Sequence, residues 1–231
     1  MQYQHLFFDL DHTLWDFERN SAESLHEIFH HHQLHQLGIS SVNHFIESFL
    51  KINTKLWQDF DLGNIEHGYI RANRFRLVFE AMELPCPTSH VEFGELYLKT
   101  LPTKSYLIEG AMDLLNHVSQ NGYELHIITN GFNDIQERKI ESAGISHFFK
   151  QVVTFENANA KKPDPKIFNH ALALTKANIS ESLMIGDNWI ADILGAKKVG
   201  MDTVYYNPGL LTFEDSPTYN ITNLSELTYI L

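Results

Sequence analysis

The stretch that decides the fold is His5-Leu-Phe-Phe-Asp-Leu-Asp-His-Thr-Leu14, an apolar run that ends in two aspartates. Residues 6–8 predict a buried strand. Such a strand should not end in carboxylates unless another group neutralises them. Asp9 and Asp11 are separated by one residue, so they would share one face if the strand geometry persisted. Because crowded carboxylates repel each other, the pattern predicts a hard divalent cation directly after the first strand.

The composition is that of an ordinary globular protein. The chain has 231 residues, 43% hydrophobic and 20% charged, enough for one domain or one domain with an insertion. The net charge of −12 argues against a nucleic acid polymer or an anionic membrane as partner. It does not exclude a small anionic substrate, such as a small phosphorylated metabolite, because a bound cation and a local lysine or arginine can reverse the field inside a cleft.

No signal-peptide pattern and no apolar run of membrane-spanning length occur in the sequence, so we expect a cytoplasmic location. Cys86 is the only cysteine, and a disulfide framework is therefore not expected. The sequence does not specify the oligomeric state.

Beyond the first strand, the spacing of the hydrophobic residues differs between two regions of the chain. Residues 16–100 follow the helical period, whereas helical and strand patterns alternate from about residue 106. Alternation of this kind predicts parallel strands with helices on both faces, an α/β doubly wound parallel sheet. We therefore expect residues 1–15 and 101–231 to form an α/β core and residues 16–100 to be an inserted helical domain. The later strands are predicted at 124–129, 151–154, 183–185 and 203–206, the last closing the series.

Polar residues collect directly after the predicted strands. In open parallel sheets ligands bind beyond the carboxyl ends of the strands, so we expect these residues to converge. Taken singly, each has an ordinary explanation as a turn, a solvated lysine or a helix cap. The residues are Asp9 and Asp11, Thr129 and Asn130, Lys162, and Asp187 with Asp192.

In this order the residues resemble the four motifs of the haloacid dehalogenase (HAD) superfamily, which includes aspartate-nucleophile phosphatases. The resemblance extends from Asp9 to Asp192, and the helical block stands where that family carries its cap domain. It implies a Rossmann-like α/β core, an all-helical cap, Mg²⁺ as cofactor and the hydrolysis of phosphate monoesters.

The resemblance also implies a role for each motif residue. Asp9 would be the nucleophile that forms an aspartyl-phosphate. Asp11 would protonate the leaving oxygen and then activate water. Thr129 and Asn130 would donate hydrogen bonds to the phosphoryl oxygens, and Lys162 would stabilise the charge on the nucleophile and the phosphoryl group.

A Mg²⁺ site is implied by the same resemblance. Its ligands would be Asp9, the main-chain carbonyl of Asp11, and Asp187. Asp192 would support the site or bind through a water molecule. Some relatives carry a second aspartate where this chain has Asn188, and a neutral amide is a weaker ligand, so we leave Asn188 out of the metal shell.

The same fold also supports activities other than that of a phosphatase. Asp11 argues against a dehalogenase, because a halide leaves without protonation. A phosphomutase keeps both aspartates and ranks second. A non-catalytic phosphate-binding regulator would show a broken motif, and all four motifs are intact.

The substrate class is the least determined property. Arg71 and Arg74 are three residues apart, so they share a helix face and are candidates for substrate binding; the alternative is a pair of solvated surface arginines. Two segments resemble the pyrimidine 5′-nucleotidase branch that acts on non-canonical nucleotides. They are the first motif, Phe7-Phe-Asp-Leu-Asp-His-Thr-Leu-Trp-Asp-Phe17, and the Arg-Phe-Arg segment at 74–76. This implies a nucleoside 5′-monophosphate, while sugar phosphates and phosphoglycolate stay open as alternatives.

Overall fold

The computed structural model describes residues 2–231, and the chain divides into two compact units. The α/β unit joins the residues up to Asp16 to Ser105–Leu231, and the helical unit is Phe17–Lys104. Within the described range, no helix combines the length and the apolar character needed to cross a membrane.

The helical unit is built from α-helices whose aromatic side chains pack together. The helices are α1 (Phe17–His31), α2 (Val42–Asp61), α3 (His67–Ala81) and α4 (His90–Thr100). In its interior the ring centroid of Phe49 lies 4.7 Å from that of Tyr97 and 5.4 Å from that of Phe75. These contacts bury the apolar faces that the helical spacing of the sequence predicts. Cys86 lies between α3 and α4 and is exposed.

The α/β unit contains a sheet of parallel strands, which confirms the predicted fold class. The strands are β1 (His5–Phe8), β2 (Glu124–Thr129), β3 (Phe149–Thr154), β4 (Ser182–Gly186), β5 (Asp202–Tyr206) and β6 (Tyr219–Ile221). Their order across the sheet is β3-β2-β1-β4-β5-β6, and every pair of neighbours is parallel.

This strand order places a reversal at the centre of the sheet. The chain proceeds outward from β1 through β2 to β3 and then returns to the other side of β1 to form β4. The carboxyl ends of β1 and β4 therefore flank a topological switch point, where parallel α/β sheets form their ligand sites. Phe7 and Phe8 are completely buried at this position, so β1 is anchored on both faces.

The helices of the α/β unit lie between successive strands, except for α10, which follows β6. They are α5 (Ala111–Gln120), α6 (Asn133–Ser142), α7 (Phe155–Ala158), α8 (Pro165–Thr175), α9 (Gly195–Val199) and α10 (Leu227–Ile230). Ile167 and Phe168 of α8 pack in a buried cluster with Phe7, Ile128 and Met184 from the strands. This packing fixes α8, and with it the loop that precedes α8, against the sheet.

Two local expectations are wrong. The sheet does not close at residues 203–206, because Tyr219–Ile221 pairs in parallel with Val204–Tyr206. That segment is too short to show an alternating pattern and becomes a strand only through this pairing. The helical spacing after the fourth strand also predicts one continuous helix from 190 to 199, and this is wrong, since Trp189–Leu194 forms a π-helix before α9 begins. Wider turns of this kind often occur at functional sites.

Candidate active site

The loop after β1 separates the two aspartates of the first motif. The main-chain N–H of Asp9 still donates to the carbonyl of Ile185, at 2.9 Å, so Asp9 remains in register beside β4. The chain then turns sharply, with His12 in the left-handed region at a φ of 64°. Because β1 already ends at Phe8, the strand geometry does not extend to Asp11, and the condition under which both carboxylates would share one face is not met.

Lys162 is the centre of a buried ionic network. Its side chain is 2% exposed, and Nζ donates to Asp9 Oδ1 at 2.5 Å, to Asp192 Oδ1 at 2.6 Å and to the carbonyl of Ile128 at 2.8 Å. An ammonium group has three hydrogens, and this set of acceptors uses all of them. Burial opposes the charge of Lys162, but the carboxylates of Asp192 and Asp9 together raise its pKa. Lys162 is therefore a fixed cation at the switch point.

The carboxylates around Lys162 carry more negative charge than one lysine neutralises. Burial raises the pKa of Asp9 from its ordinary 3.8 to about 7; Lys162 opposes this shift, and Asp192 and Asp11 add to it. Burial, with the charges of Asp9 and Asp192, also raises the pKa of Asp187 well above its usual range. Asp187 Oδ1 accepts a hydrogen bond of 3.0 Å from the hydroxyl of Thr13, a residue that was not among the predicted site residues. A further positive charge would allow Asp9 and Asp187 to ionise together.

The donor set fits Mg²⁺. Carboxylate oxygens of Asp9, Asp187 and Asp192 all lie within 4.8 Å of one another. Both oxygens of Asp192 already accept hydrogen bonds, Oδ1 from Lys162 and Oδ2 from the main-chain N–H of Asn188 at 3.0 Å. Asp9 and Asp187 are therefore the two carboxylates best able to bind an ion directly. An oxygen-only donor set is what Mg²⁺ prefers.

Gly186 makes room for Asp192 beside β4. A Cβ atom at Gly186 would lie 2.2 Å from Asp192 Oδ2, a distance at which the two atoms overlap. Only glycine therefore allows the completely buried Asp192 to reach Lys162 from this side.

Thr129 and Asn130 follow β2 at the same end of the sheet. Thr129 is 2% exposed, and its Oγ1 accepts hydrogen bonds from Gln136 Nε2 at 2.7 Å and from the N–H of Gly131 at 3.1 Å. The side chain of Asn130 bridges to the main chain of Lys162, with bonds of 2.8 Å to its N–H and 3.0 Å to its carbonyl. Asn130 therefore ties the Lys162 loop to β2.

Asp11 lies against α6 and not against Lys162. Its two carboxylate oxygens accept from Lys139 Nζ at 2.6 Å and 2.9 Å, and Oδ2 also accepts from Gln136 Nε2 at 2.9 Å. Gln136 and Lys139 are absent from the predicted site. Their spacing of three residues places them on one face of α6, but in a polar helix this pattern is equally typical of a solvated surface.

The two candidate arginines of the helical unit have different environments. The Arg71 side chain is 39% exposed, with Nε 3.5 Å from Glu95 Oε1. Arg74 is only 4% exposed, and its guanidinium carbon lies 5.3 Å from the ring centroid of Tyr97 and 5.7 Å from that of Phe49. The interpretation as a solvated surface arginine is therefore wrong for Arg74. Burial lowers the pKa of this guanidinium, and Tyr97 opposes the shift.

A second cluster of titratable side chains lies at the opposite ends of β1 and β2. Nδ1 of His5 and Nε2 of His126 are 3.3 Å apart, and His5 Nδ1 is 3.9 Å from Glu124 Oε2. The two ring planes differ by 22° and their centroids are 5.6 Å apart, which is the edge-to-edge geometry of a hydrogen bond between imidazoles. Burial lowers the pKa of His126 to about 4, so its ring is neutral at pH 7. We interpret this cluster as a polar link between the two strands.

The parallel sheet, its central reversal and the lysine–carboxylate network at that reversal define an α/β protein with a buried charged site at its topological switch point. Residues 6–206 match the family described as haloacid dehalogenase-like hydrolase, and the chain belongs to that family. The resemblance that the four sequence motifs indicate is thereby confirmed.

Similar proteins narrow the class further. The pyrimidine 5′-nucleotidase PynA of Streptococcus pneumoniae is 30% identical, over 98% of this chain and 94% of its own. A glyceraldehyde 3-phosphate phosphatase of Pyrococcus abyssi is 31% identical, over 88% of this chain and 81% of its own. The magnesium-bound crystal structure of the putative HAD-hydrolase YfnB of Bacillus subtilis, described as revealing interdomain movement, superposes with a TM-score of 0.87 at 28% identity, covering 100% of this chain and 99% of that one. The chain is a HAD-family phosphatase, a phosphoric monoester hydrolase.

Proposed function

We propose that the protein hydrolyses a nucleoside 5′-monophosphate with Mg²⁺ as cofactor, through a phosphorylated Asp9. The observation that carries this proposal is the buried carboxylate of Asp9 held 2.5 Å from Lys162, with the carboxylate of Asp187 close by. A nucleophile fixed next to a cation, at the switch point of the sheet, suits the attack on a phosphate ester.

In the first step an oxygen of Asp9 attacks phosphorus, and the bond from phosphorus to the ester oxygen breaks. Asp11 gives a proton to the departing oxygen, so that an alcohol leaves. In the second step Asp11 takes a proton from water, and the resulting hydroxide displaces phosphate from Asp9. The nucleophile is regenerated, and the balance is one ester and one water converted to one alcohol and one phosphate.

The surrounding residues bind the phosphoryl group. The ammonium of Lys162 stabilises the negative charge that Asp9 and the phosphoryl oxygens share. Thr129 and Asn130 donate hydrogen bonds to phosphoryl oxygens. Bound Mg²⁺, held by Asp9, Asp187 and the main-chain carbonyl of Asp11, would neutralise the phosphoryl charge and fix its orientation.

The nucleotide is proposed on the likeness to PynA, which its name describes as a pyrimidine 5′-nucleotidase. The helical unit would act as the cap that selects the substrate, with Arg71 and Arg74 as contacts for the nucleoside portion. A sugar phosphate is the second candidate, favoured by the likeness to the glyceraldehyde 3-phosphate phosphatase.

The decisive experiment measures phosphate release by purified protein with Mg²⁺ from a panel of esters. The panel contains pyrimidine and purine nucleoside 5′-monophosphates, glyceraldehyde 3-phosphate, phosphoglycolate and p-nitrophenyl phosphate. We expect the highest kcat/KM on a nucleoside monophosphate, loss of all turnover in EDTA, and recovery on addition of Mg²⁺. A higher kcat/KM on glyceraldehyde 3-phosphate would favour the second candidate, and full activity in EDTA would contradict the mechanism.

A further inference from the structure

Gln136 connects two residues of the proposed reaction through a single nitrogen. Its Nε2 donates to Thr129 Oγ1 at 2.7 Å and to Asp11 Oδ2 at 2.9 Å. An amide nitrogen carries two hydrogens, and these two contacts use both. The side chain of Gln136 is completely buried, so water does not compete for either bond.

The contact with Gln136 orients the hydroxyl group of Thr129. Oγ1 of Thr129 accepts one hydrogen bond from Gln136 and a second, of 3.1 Å, from the main-chain N–H of Gly131. A hydroxyl oxygen has two lone pairs, and both are now occupied. Its remaining capacity is to donate, and a phosphoryl oxygen is an acceptor. A hydroxyl group can donate or accept a hydrogen bond, and the bonds around Thr129 leave its hydroxyl able only to donate.

Lys139 holds the carboxylate of Asp11 from the other side. Its Nζ lies 2.6 Å from Oδ1 and 2.9 Å from Oδ2, and 4.5 Å from the ring centroid of Trp15. Lys139 is only 3% exposed, and the aromatic ring restricts where its ammonium can move. Together with Gln136, it fixes both oxygens of Asp11 and thus one orientation of the side chain.

Gly131 is an independent sign that this arrangement is specified by the sequence. A Cβ atom at Gly131 would lie 2.4 Å from both Cδ and Nε2 of Gln136. Any other residue at 131 would displace the Gln136 amide from Thr129 and Asp11. The Thr-Asn-Gly sequence after β2 therefore provides space for Gln136 as well as a turn.

We infer that Gln136 and Lys139 are positioning residues of the phosphatase reaction. Gln136 directs the Thr129 hydroxyl towards the phosphoryl group. Lys139 with Gln136 orients the Asp11 carboxyl group, which carries the transferred proton in the first step, towards the leaving oxygen. Buried polar and charged groups destabilise a fold unless they are paired. Gln136 Nε2 and Lys139 Nζ are paired with residues that the proposed mechanism uses, whereas Gln136 Oε1 has no hydrogen-bond partner among the described residues. The inference rests on the proposed function of Thr129 and Asp11.

The test compares Gln136→Met, Lys139→Met and Lys139→Arg with the wild type. Methionine keeps the length of either side chain but removes the donors, and Lys139→Arg keeps the cation. Assays with Mg²⁺ give kcat and KM separately for an alkyl phosphate and for p-nitrophenyl phosphate, whose leaving group needs little protonation. The melting temperature of each variant reports whether it is folded. Lys150→Met, at an exposed lysine of β3, is the matched control.

We expect Gln136→Met to lower kcat on both substrates by at least about tenfold, because the Thr129 donor serves every phosphoryl group. Lys139→Met should lower kcat on the alkyl ester about tenfold more than on the nitrophenyl ester, because only the former depends on the Asp11 proton. Lys139→Arg should recover most of that difference. KM should change by less than about threefold throughout, and Lys150→Met should match the wild type.

Three results would overturn the inference. The first is that Gln136→Met and Lys139→Met are folded and keep the wild-type kcat. The second is that Lys139→Met lowers kcat equally on the two esters. The third is that the substitutions lower the melting temperature but not kcat. A wild-type protein without activity on either ester would instead overturn the proposed function, and the inference with it.

Discussion

Each unit buries a long cationic side chain, and the two units stabilise it in different ways. Lys162 in the α/β unit is 2% exposed and contacts the carboxylates of Asp9 and Asp192. Arg74 in the helical unit is 4% exposed and has the rings of Phe49 and Tyr97 within 6 Å, whereas no carboxylate of the described residues forms an ion pair with it.

These surroundings suit Lys162 to a role in the reaction and Arg74 to a role in packing. A cation among carboxylates belongs to a network that can exchange partners with a metal ion and a phosphoryl group. A guanidinium between aromatic faces contributes contact area and a cation–π interaction, which hold helices together. Substitutions in the α/β network should therefore abolish turnover in a folded protein. Substitutions in the helical unit should change stability and substrate preference.

The largest effect is expected for Asp9→Asn. Without a nucleophilic carboxylate the protein should remain folded but lose turnover by more than about 10⁴-fold, because the covalent route is removed. Phosphate release and mass spectrometry of acid-quenched protein measure the loss of turnover and of the phosphorylated intermediate. Retention of either would place the nucleophile on another residue.

Asp11→Asn should have the next largest effect, and it should depend on the leaving group. We expect kcat on an alkyl phosphate to fall by roughly 10²- to 10³-fold and kcat on p-nitrophenyl phosphate to fall less, since nitrophenolate leaves without a proton. Parallel steady-state assays of the two esters give the ratio. An unchanged ratio would count against an acid role for Asp11.

Substitution of the two arginines should distinguish packing from surface contact. Arg74→Ala should lower the free energy of unfolding by about 2–3 kcal/mol, because it empties a buried site between two rings. Arg71→Ala should lower it by less than about 0.5 kcal/mol, because its contact with Glu95 is exposed. Urea unfolding monitored by circular dichroism measures both. Equal effects of the two substitutions would show that Arg74 is not a packing element.

The same two variants test the proposed substrate contacts. If Arg71 or Arg74 binds the nucleoside portion, its alanine variant should lose about 1–3 kcal/mol of transition-state binding on a nucleoside monophosphate and little on p-nitrophenyl phosphate. The comparison is made on kcat/KM of folded protein. A fall by the same factor on both substrates would remove the arginine from the specificity contacts.

A pH dependence of Mg²⁺ stabilisation is also expected. The pKa of Asp9 is raised from 3.8 to about 7, and that of Asp187 is raised in the same direction. In metal-free protein, the stability that comes from holding these protons is present below about pH 4 and is lost as the pH rises through 7. Mg²⁺ binds the deprotonated carboxylates, so its stabilisation should grow by about 1–2 kcal/mol between pH 5 and pH 8.

Thermal melts in EDTA and in Mg²⁺ at each pH measure this difference. His126 also makes stability depend on pH, but because its pKa is lowered this contribution rises with pH. It is the same with and without Mg²⁺ and therefore cancels in the difference. Asp187→Asn serves as the control and should remove most of the increase. A Mg²⁺ effect that is constant or declines with pH would contradict a site made of these carboxylates.

The sequence was sufficient to predict the elements that have a strong local signal. Apolar runs bounded by turns gave the strands from β1 to β5, and alternation with helices gave the parallel sheet. β6 could not be predicted, because Tyr219–Ile221 is a strand only through its pairing with β5. The π-helix at Trp189–Leu194 has the same residue types as an α-helix and shows no distinct periodicity.

For the site, the residues that directly follow strands could be predicted, and those that reach it from a helix could not. Gln136 and Lys139 are found only once α6 is placed beside the loop after β1, because each is an ordinary surface residue type. The burial of Arg74 is likewise a tertiary property, since arginine in a helix is usually solvated. Sequence patterns identified residues by their position along the chain, while these three are defined by their neighbours in space.

The exposed cysteine between α3 and α4 provides a site for measuring motion. Because Cys86 is the only thiol in the chain, a maleimide dye or a spin label attaches at one place, and that place is in the helical unit. Burial raises the pKa of the Cys86 thiol, so labelling is best carried out at mildly alkaline pH. A second cysteine in place of the exposed Lys150 would complete a donor–acceptor pair across the two units. Single-molecule energy transfer could then record whether the distance between the two labels changes during turnover.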